Sequence, residues 1–241
     1  MQKTLICLPT YNERENLPLL VTEIHAIVPH VHILVIDDNS PDGTGKLADE
    51  LAAADERIFV LHRAQKQGLG RAYIAGFEWA LQRDYELIFE MDCDFSHMPR
   101  YLPDFIEKAK SCDVVLGSRY IPGGGTKDWD WRRRFISRGG NTYAQVILGL
   151  PYRDLTGGFK CFHRHVLETL PLAEIVGSGY VFQIELTYRS VLLGFSIGEV
   201  PIEFPDRTRG QSKMSGNIVR EAVTKVWQLR LNKPRMAQRR S

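Results

Sequence analysis

Two carboxylates spaced i, i+2, Asp92-Cys93-Asp94, follow a short β-rich run, Leu87–Met91. In an extended chain such residues point to the same side. At a strand's exposed end they can hold a hard divalent cation, with water and substrate oxygens completing its shell. An ion held there neutralises a diphosphate and stabilises it as a leaving group. So short a pattern also arises by chance, and its weight comes from its surroundings. A run ending at Leu8 leads into Pro9-Thr10-Tyr11-Asn12-Glu13-Arg14-Glu15-Asn16, and one ending at Ile36 leads into Asp37-Asp38-Asn39-Ser40. Acidic and amide groups thus collect where a structural turn would do with Gly, Ser or Pro.

Other chemistries are absent from the sequence. No GxGxxG follows the first run, and Gly43-Thr44-Gly45-Lys46 lacks P-loop spacing, which counts against a dehydrogenase and an ATPase. His97 and His163-x-His165 have no third ligand at zinc-like spacing and read as surface or packing histidines. No Ser-His-Asp or Cys-His arrangement stands out, so no protein nucleophile is expected.

The elements that must position these loops alternate. Thr4–Leu8, His32–Ile36, Ile58–Leu61, Leu87–Met91 and Asp113–Leu116 read as strands, and Leu17–Val28, Thr44–Ala54, Arg71–Leu81 and Leu102–Lys110 as helices. That rhythm argues for an α/β fold with a mostly parallel sheet covered on both faces. Ligands bind such sheets beyond the carboxyl ends of the strands. After residue 120 the rhythm stops. Residues 121–130 read as a loop, followed by an amphipathic helix with Phe135, Tyr143, Val146, Ile147 and Leu150 on one side. Then come a helix near Val181–Leu193, a strand near Ile197–Phe204 and a basic helix from about Gly216 to Leu231.

The chain has 241 residues, 44% hydrophobic and 25% charged, enough for a sizeable core and unlike a disordered chain. No apolar run approaches a membrane span, and the N-terminus does not read as a signal peptide. Cys7, Cys93, Cys112 and Cys161 lack CxxC spacing and read as reduced packing residues of a cytoplasmic protein. A net charge of +2 hides ten basic residues against one acid after residue 206, leaving residues 1–206 at −7. Arg132-Arg133-Arg134 with Arg138 form a second basic patch. Such patches suit phosphates on a nucleotide, a nucleic acid or an anionic membrane. For the last eight residues a solvated, frayed terminus is the plainer reading. Nucleic-acid binding lacks aromatic interleaving or a known module, and is not expected.

The loops above, with Gly117-Ser118-Arg119-Tyr120, Ile136–Asn141, Asp154–Lys160, Gly179–Glu185, Arg207 and Lys213, resemble family-2 glycosyltransferases of the GT-A fold. Among them the sequence is most similar to the polyprenol (dolichol) phosphate mannosyltransferases, over nearly the whole chain. The resemblance implies one GT-A domain over residues 1–231, with 1–120 as the nucleotide-sugar half. Residues 121–231 would form the acceptor half, including the amphipathic segment 129–150, and 232–241 a basic tail.

It further implies transfer of mannose from GDP-mannose to a polyprenyl phosphate with inversion. Pro9, Tyr11, Glu13, Ile36, Asp38 and Cys93 would hold the nucleotide sugar. Asp92 and Asp94 would serve its diphosphate and a Mg²⁺ or Mn²⁺ ion, with Arg119 beside them and Arg207 and Lys213 closing over it. Ser96 stands where the family often has a Gln metal ligand. An acceptor phosphate monoester, with a second pKa near about 6, is already a nucleophile and needs cationic positioning rather than a general base. Arg119, Arg133 and Ser137 are the candidates for that task. Trp129 and Trp131 beside arginines resemble an interfacial anchor, implying peripheral docking on the cytoplasmic membrane face, directly or through an anchoring partner. UDP-glucose as donor, and a silent lipid-phosphate-binding subunit, are the alternatives.

Overall fold

The computed structural model describes residues 2–175, 177–205 and 216–231, with side chains in the last segment from residue 223. Strands β1 (Thr4–Thr10), β2 (His32–Asp37), β3 (Ile58–His62), β4 (Leu87–Glu90) and β5 (Val114–Ser118) alternate with helices α1 (Leu17–Ile27), α2 (Thr44–Ala54), α3 (Leu69–Leu81) and α4 (Leu102–Ala109). A short strand β6 (Gly125–Lys127) and the long helix α5 (Trp131–Leu148) follow. Then come β7 (Lys160–His163), α6 (Arg164–Thr169), α7 (Tyr180–Leu192), β8 (Ile197–Pro201), β9 (Glu203–Pro205) and α8 (Gly216–Leu231).

Seven strands form one sheet in the order β3-β2-β1-β4-β7-β5-β8, all parallel except β7, which runs against both neighbours. Alternation of side chains along β1 sends Ile6 and Leu8 to one face and Leu5 and Cys7 to the other. Helices α1, α2 and α4 cover the first face, and α3, α6 and α7 the second. Gly76 lets α3 lie close against the sheet, since a Cβ there would sit 2.6 Å from Ile36 Cδ1. Strand β1 outruns β4: the Cys7 carbonyl still meets the Met91 N–H, but Pro9, facing the same side, lies past the ladder. A residue without an N–H is tolerated there.

Several expectations need correction. The segment 121–130 is not all loop, because Gly125–Lys127 pairs in parallel with Glu203–Pro205. The single strand expected at Ile197–Phe204 is two, β8 in the main sheet and β9 in the small one, parted at Ile202. Strand β7 and helix α6 carried no periodic signal, being four and six residues long. On α5 the buried positions are Asn141, Ala144 and Leu148. Phe135 and Val146 of the expected apolar side face solvent, 75% and 73% exposed. Tyr143, Ile147 and Leu150 do pack, against α7 and α8.

Candidate active site

The carboxyl ends of β1, β2, β4 and β5 share one rim. Non-glycine residues with left-handed backbone stand there after three strands: Asn12, Asn39 and Phe95, with φ of 63°, 58° and 60°. Asparagine tolerates this region, whereas at phenylalanine it costs on the order of 1 kcal/mol or more. After β1, Tyr11 is half-exposed with the Lys66 ammonium 3.6 Å above its ring centroid. Glu13 accepts from Asn16 Nδ2 at 2.8 Å, and its N–H donates to Thr44 Oγ1.

The two aspartates after β2 divide their tasks. Asp37 accepts from the Ser40 N–H and from Thr10 Oγ1, so it braces the loop. Asp38 pairs with Arg63, which follows β3. Burial pushes the Asp38 carboxyl above its usual range, against the opposing pull of Arg63.

The strand before the paired aspartates ends at Glu90, and residues 93–97 are bends rather than extended chain. Asp92 and Asp94 therefore owe their placement to other groups. Tyr73 of α3 donates its hydroxyl to Asp92 Oδ1 at 2.8 Å. Burial, then the Asp92 charge, push the phenol well above its usual range, so it stays a donor. The Asp92 N–H donates to His97 Nδ1 at 2.8 Å, and the imidazole stacks on Phe159. Asp94 Oδ1 accepts from the Ser96 N–H and hydroxyl. Ser96 is buried, at 1% exposed, and its hydroxyl braces the Asp94 carboxylate. Cys93 is buried; burial and the neighbouring Glu13 charge hold its thiol well above the usual range.

Among the described residues no three His, Cys, Asp or Glu side chains converge as a cation cage. Two carboxylates alone are hard oxygen donors of the kind Mg²⁺ and Mn²⁺ take, with substrate and water oxygens filling the remaining positions. The residues present fit such an ion and do not resemble a zinc site.

Beneath this loop Glu90 and Lys160 face each other across the β4–β7 ladder, both fully buried. Burial raises the Glu90 carboxyl to about 8 and lowers the Lys160 ammonium to about 8. Lys160 donates to the Gln183 carbonyl and Thr187 Oγ1, and its charge, with the Gln183 side chain, opposes the upward push of burial on Glu90.

The facing side of the rim is built from β5 and α5. Because β7 is antiparallel, the segment entering it arrives beside the end of β5, and the Arg119 guanidinium meets Asp154 there. Nε and Nη2 lie 2.6 and 2.7 Å from the two carboxylate oxygens, and Nη2 also reaches Thr156 Oγ1. Burial alone would push Asp154 up and Arg119 down, but their mutual charge wins and keeps both ionised. Asn141 of α5 accepts from the Leu155 and Thr156 N–H groups, tying helix to loop. Asp130 caps α5 by accepting from the Arg133 N–H. Ser137 accepts from the Tyr120 hydroxyl at 2.7 Å. The Arg133 guanidinium lies 3.9 Å from the Trp129 ring centroid.

Of the paired tryptophans only Trp131 is exposed, at 72%; Trp129 is buried at 6%, under Phe204 of β9. The expected anchor is thus half wrong, since the tryptophan is covered by a strand distant in sequence. Arg207 and Lys213 lie outside the described residues. Sequence reasoning missed Tyr73, Arg63, Asn141 and the role of Asp154, whose partners all come from remote segments. His163 and His165 are structural, bonded to the Ala109 carbonyl and to Asp113.

A mixed α/β sheet delivering carboxylates to one rim and a braced arginine to the facing loop is the layout of nucleotide-diphospho-sugar transferases. Glucosyl-3-phosphoglycerate synthase from Mycobacterium tuberculosis, solved with Mn²⁺, uridine-diphosphate and phosphoglyceric acid, matches with a TM-score of 0.66. The match covers 96% of this chain and 78% of that one at 17% identity, which shows a common GT-A-like fold. Glycosyl transferase family 2 matches residues 5–170. Polyprenol monophosphomannose synthase of Mycolicibacterium smegmatis is 51% identical over 95% of this chain and 88% of its own length. Undecaprenyl-phosphate mannosyltransferase of Micrococcus luteus is 47% identical over 93% of this chain and 92% of its own. The chain belongs to glycosyl transferase family 2, in its polyprenyl-phosphate mannosyltransferase branch.

Proposed function

We propose that this enzyme transfers mannose from GDP-mannose to the phosphate of a polyprenyl phosphate, inverting the anomeric centre. The observation that carries the reading is near-full-length identity of about half to two such synthases. The nucleotide would lie along Pro9, Tyr11, Glu13, Ile36 and Asp38, with Cys93 packed beneath the loop. Asp92 and Asp94 would hold the Mg²⁺ or Mn²⁺ ion against the donor diphosphate, and Ser96 would orient Asp94. When bound, the ion supplies positive charge against the diphosphate as it leaves.

The protein's own part is positioning. Tyr73 and His97 fix Asp92 from two sides. Asp154 pre-orients Arg119 so that its outer nitrogen, Nη1, can meet the acceptor phosphate, with Arg133 and Ser137 completing the cradle. The dianionic acceptor attacks without a protein base, so the rim needs cations held in place more than a proton carrier. Arg207 and Lys213 are assigned to the donor diphosphate.

We take residues 1–231 as one catalytic unit, with 1–120 holding the donor, 121–231 the acceptor, and 232–241 a basic tail. No described helix is long and apolar enough to cross a membrane. Exposed Trp131, Phe135 and Val146 beside Arg132 and Arg134 support docking of α5 on an anionic surface, which we place on the cytoplasmic face.

The test is incubation with polyprenyl phosphate and GDP-mannose, UDP-glucose or GDP-glucose, with Mg²⁺, Mn²⁺ or EDTA, products read by mass spectrometry. Mannosyl lipid from GDP-mannose with metal supports the reading. Hexosyl lipid from UDP-glucose would replace the donor, and nucleotide binding without any product would indicate a silent subunit.

A further inference from the structure

Trp129 sits where the sequence suggested a membrane anchor, yet it is buried and surrounded by the groups assigned to the acceptor. The Arg133 guanidinium lies 3.9 Å from its ring centroid and that of Arg119 5.5 Å. Phe204 meets it edge-on, with ring centroids 5.6 Å apart at 84°, and Arg119 lies 5.3 Å from the Phe204 ring as well. The indole N–H is buried and has no hydrogen-bond partner among the described residues. A buried orphan donor is uncommon and asks for a reason.

The reason is at hand in the ring itself. Indole is the strongest cation–π partner among the side chains, and both guanidiniums rest over it. Trp129 and Arg119 are buried and Arg133 is partly covered, and such contacts strengthen as water is excluded. The small sheet of β6 and β9 fixes the arrangement, because β6 precedes Trp129 and β9 carries Phe204. Phe204 also meets the His97 ring at 5.6 Å and 74°, and His97 holds the Asp92 N–H. One aromatic series therefore runs from the paired-aspartate loop to the two arginines.

We propose that Trp129 is a positioning residue for the acceptor, setting Arg119 and Arg133 at one spacing through its ring rather than touching lipid or membrane. The inference rests on the proposed function, in which those arginines hold the acceptor phosphate.

The experiment measures acceptor KM, kcat and GDP-mannose affinity with a short polyprenyl phosphate in detergent micelles, so that membrane docking does not contribute. Trp129→Leu should raise acceptor KM about tenfold, between the sizes of an exposed and a desolvated cation–π contact, with GDP-mannose affinity changed less than twofold. Trp129→Phe, which keeps a ring and removes the orphan donor, should restore most of the loss. It also serves if the leucine variant does not fold. In Trp129→Leu/Arg133→Ala the acceptor KM should not exceed that of Arg133→Ala alone by more than about twofold. Multiplying losses would overturn a role exerted through Arg133, as would equal losses for donor and acceptor. Sedimentation with phosphatidylglycerol-containing vesicles supplies the control: Trp131→Ala should weaken it and Trp129→Phe should not. Loss of vesicle binding in Trp129→Phe would restore the anchor. If Arg133→Ala leaves acceptor KM unchanged, the acceptor assignment falls; if it raises KM and Trp129→Leu does not, only the tryptophan's role falls.

Discussion

The His97 imidazole accepts the Asp92 backbone N–H through Nδ1 at 2.8 Å. A backbone N–H can only donate, so Nδ1 carries the lone pair and the neutral ring holds its proton on Nε2. The histidine is thus a fixed acceptor beneath the loop that carries the paired aspartates. His97→Phe keeps the ring stack on Phe159 and removes the acceptor, leaving a buried N–H unmatched at about 1–3 kcal/mol. The expected result is a drop in kcat of at least about tenfold with the fold retained by circular dichroism. Unchanged kcat would show that the bond does not set the loop.

Tyr73→Phe removes one hydroxyl from the Asp92 carboxylate and leaves the packed ring. A hydrogen bond to a charged group contributes about 1.5–3 kcal/mol, so kcat/KM for GDP-mannose should fall by about tenfold or more. Steady-state kinetics at saturating acceptor measures this directly, and a change below twofold would remove Tyr73 from the site.

Asp154→Asn leaves the Arg119 guanidinium buried beside a neutral amide. Breaking a buried pair by neutralising one partner costs about 3–5 kcal/mol, to be read as a lower denaturant midpoint. Arg119→Met/Asp154→Leu, with neither charge, should recover most of that stability and none of the transfer. Recovery of activity in the double variant would exclude Arg119 from the reaction.

Asp94→Asn should abolish transfer while the thermal midpoint without metal changes little. Mn²⁺ binding, followed by paramagnetic relaxation of water in the presence of GDP, should weaken in parallel. Normal turnover at saturating metal would end the assignment of Asp94 as an ion ligand.

Stability should fall between about pH 7 and 5. Burial lowers the His25 pKa, with Arg57 adding to it and Asp55 opposing, and burial followed by Lys3 lowers that of His32. The unfolded chain then binds more protons than the folded one as pH falls through the usual histidine range, about 6.5. Folding stability therefore rises with pH across this window and is lost below it. His25→Gln/His32→Gln should flatten the dependence, as measured by thermal midpoints at pH 7.5 and 5.5.

The first five strands and four helices were legible because burial on both faces writes long apolar runs and clear periods. Thr44–Ala54 agrees at both ends, and the others within three residues. The paired aspartates were legible as types and spacing, while the reason they are held was not, since Tyr73 and His97 reach Asp92 from separate segments. Strand β7 escaped notice because four residues, one of them a buried lysine, show no alternation. Trp129 was misread for a related reason. Beside arginines on a helix approach it has an amphipathic look, and only Phe204, on a strand formed much later in the chain, turns it inward.

The buried cysteines turn the molecule into its own stopwatch. Cys7 and Cys161 lie within the sheet and Cys93 within the paired-aspartate loop, each with its thiol held above the usual range chiefly by burial. A thiol reagent reacts with thiolate, so these sites are silent until the chain around them opens. Cys112, only partly covered, should react first and mark the start of the clock. Labelling at Cys93 then times local opening of the donor loop, whereas labelling at Cys7 and Cys161 times rupture of the whole sheet. A bound nucleotide sugar should slow the Cys93 hand far more than it slows the other two.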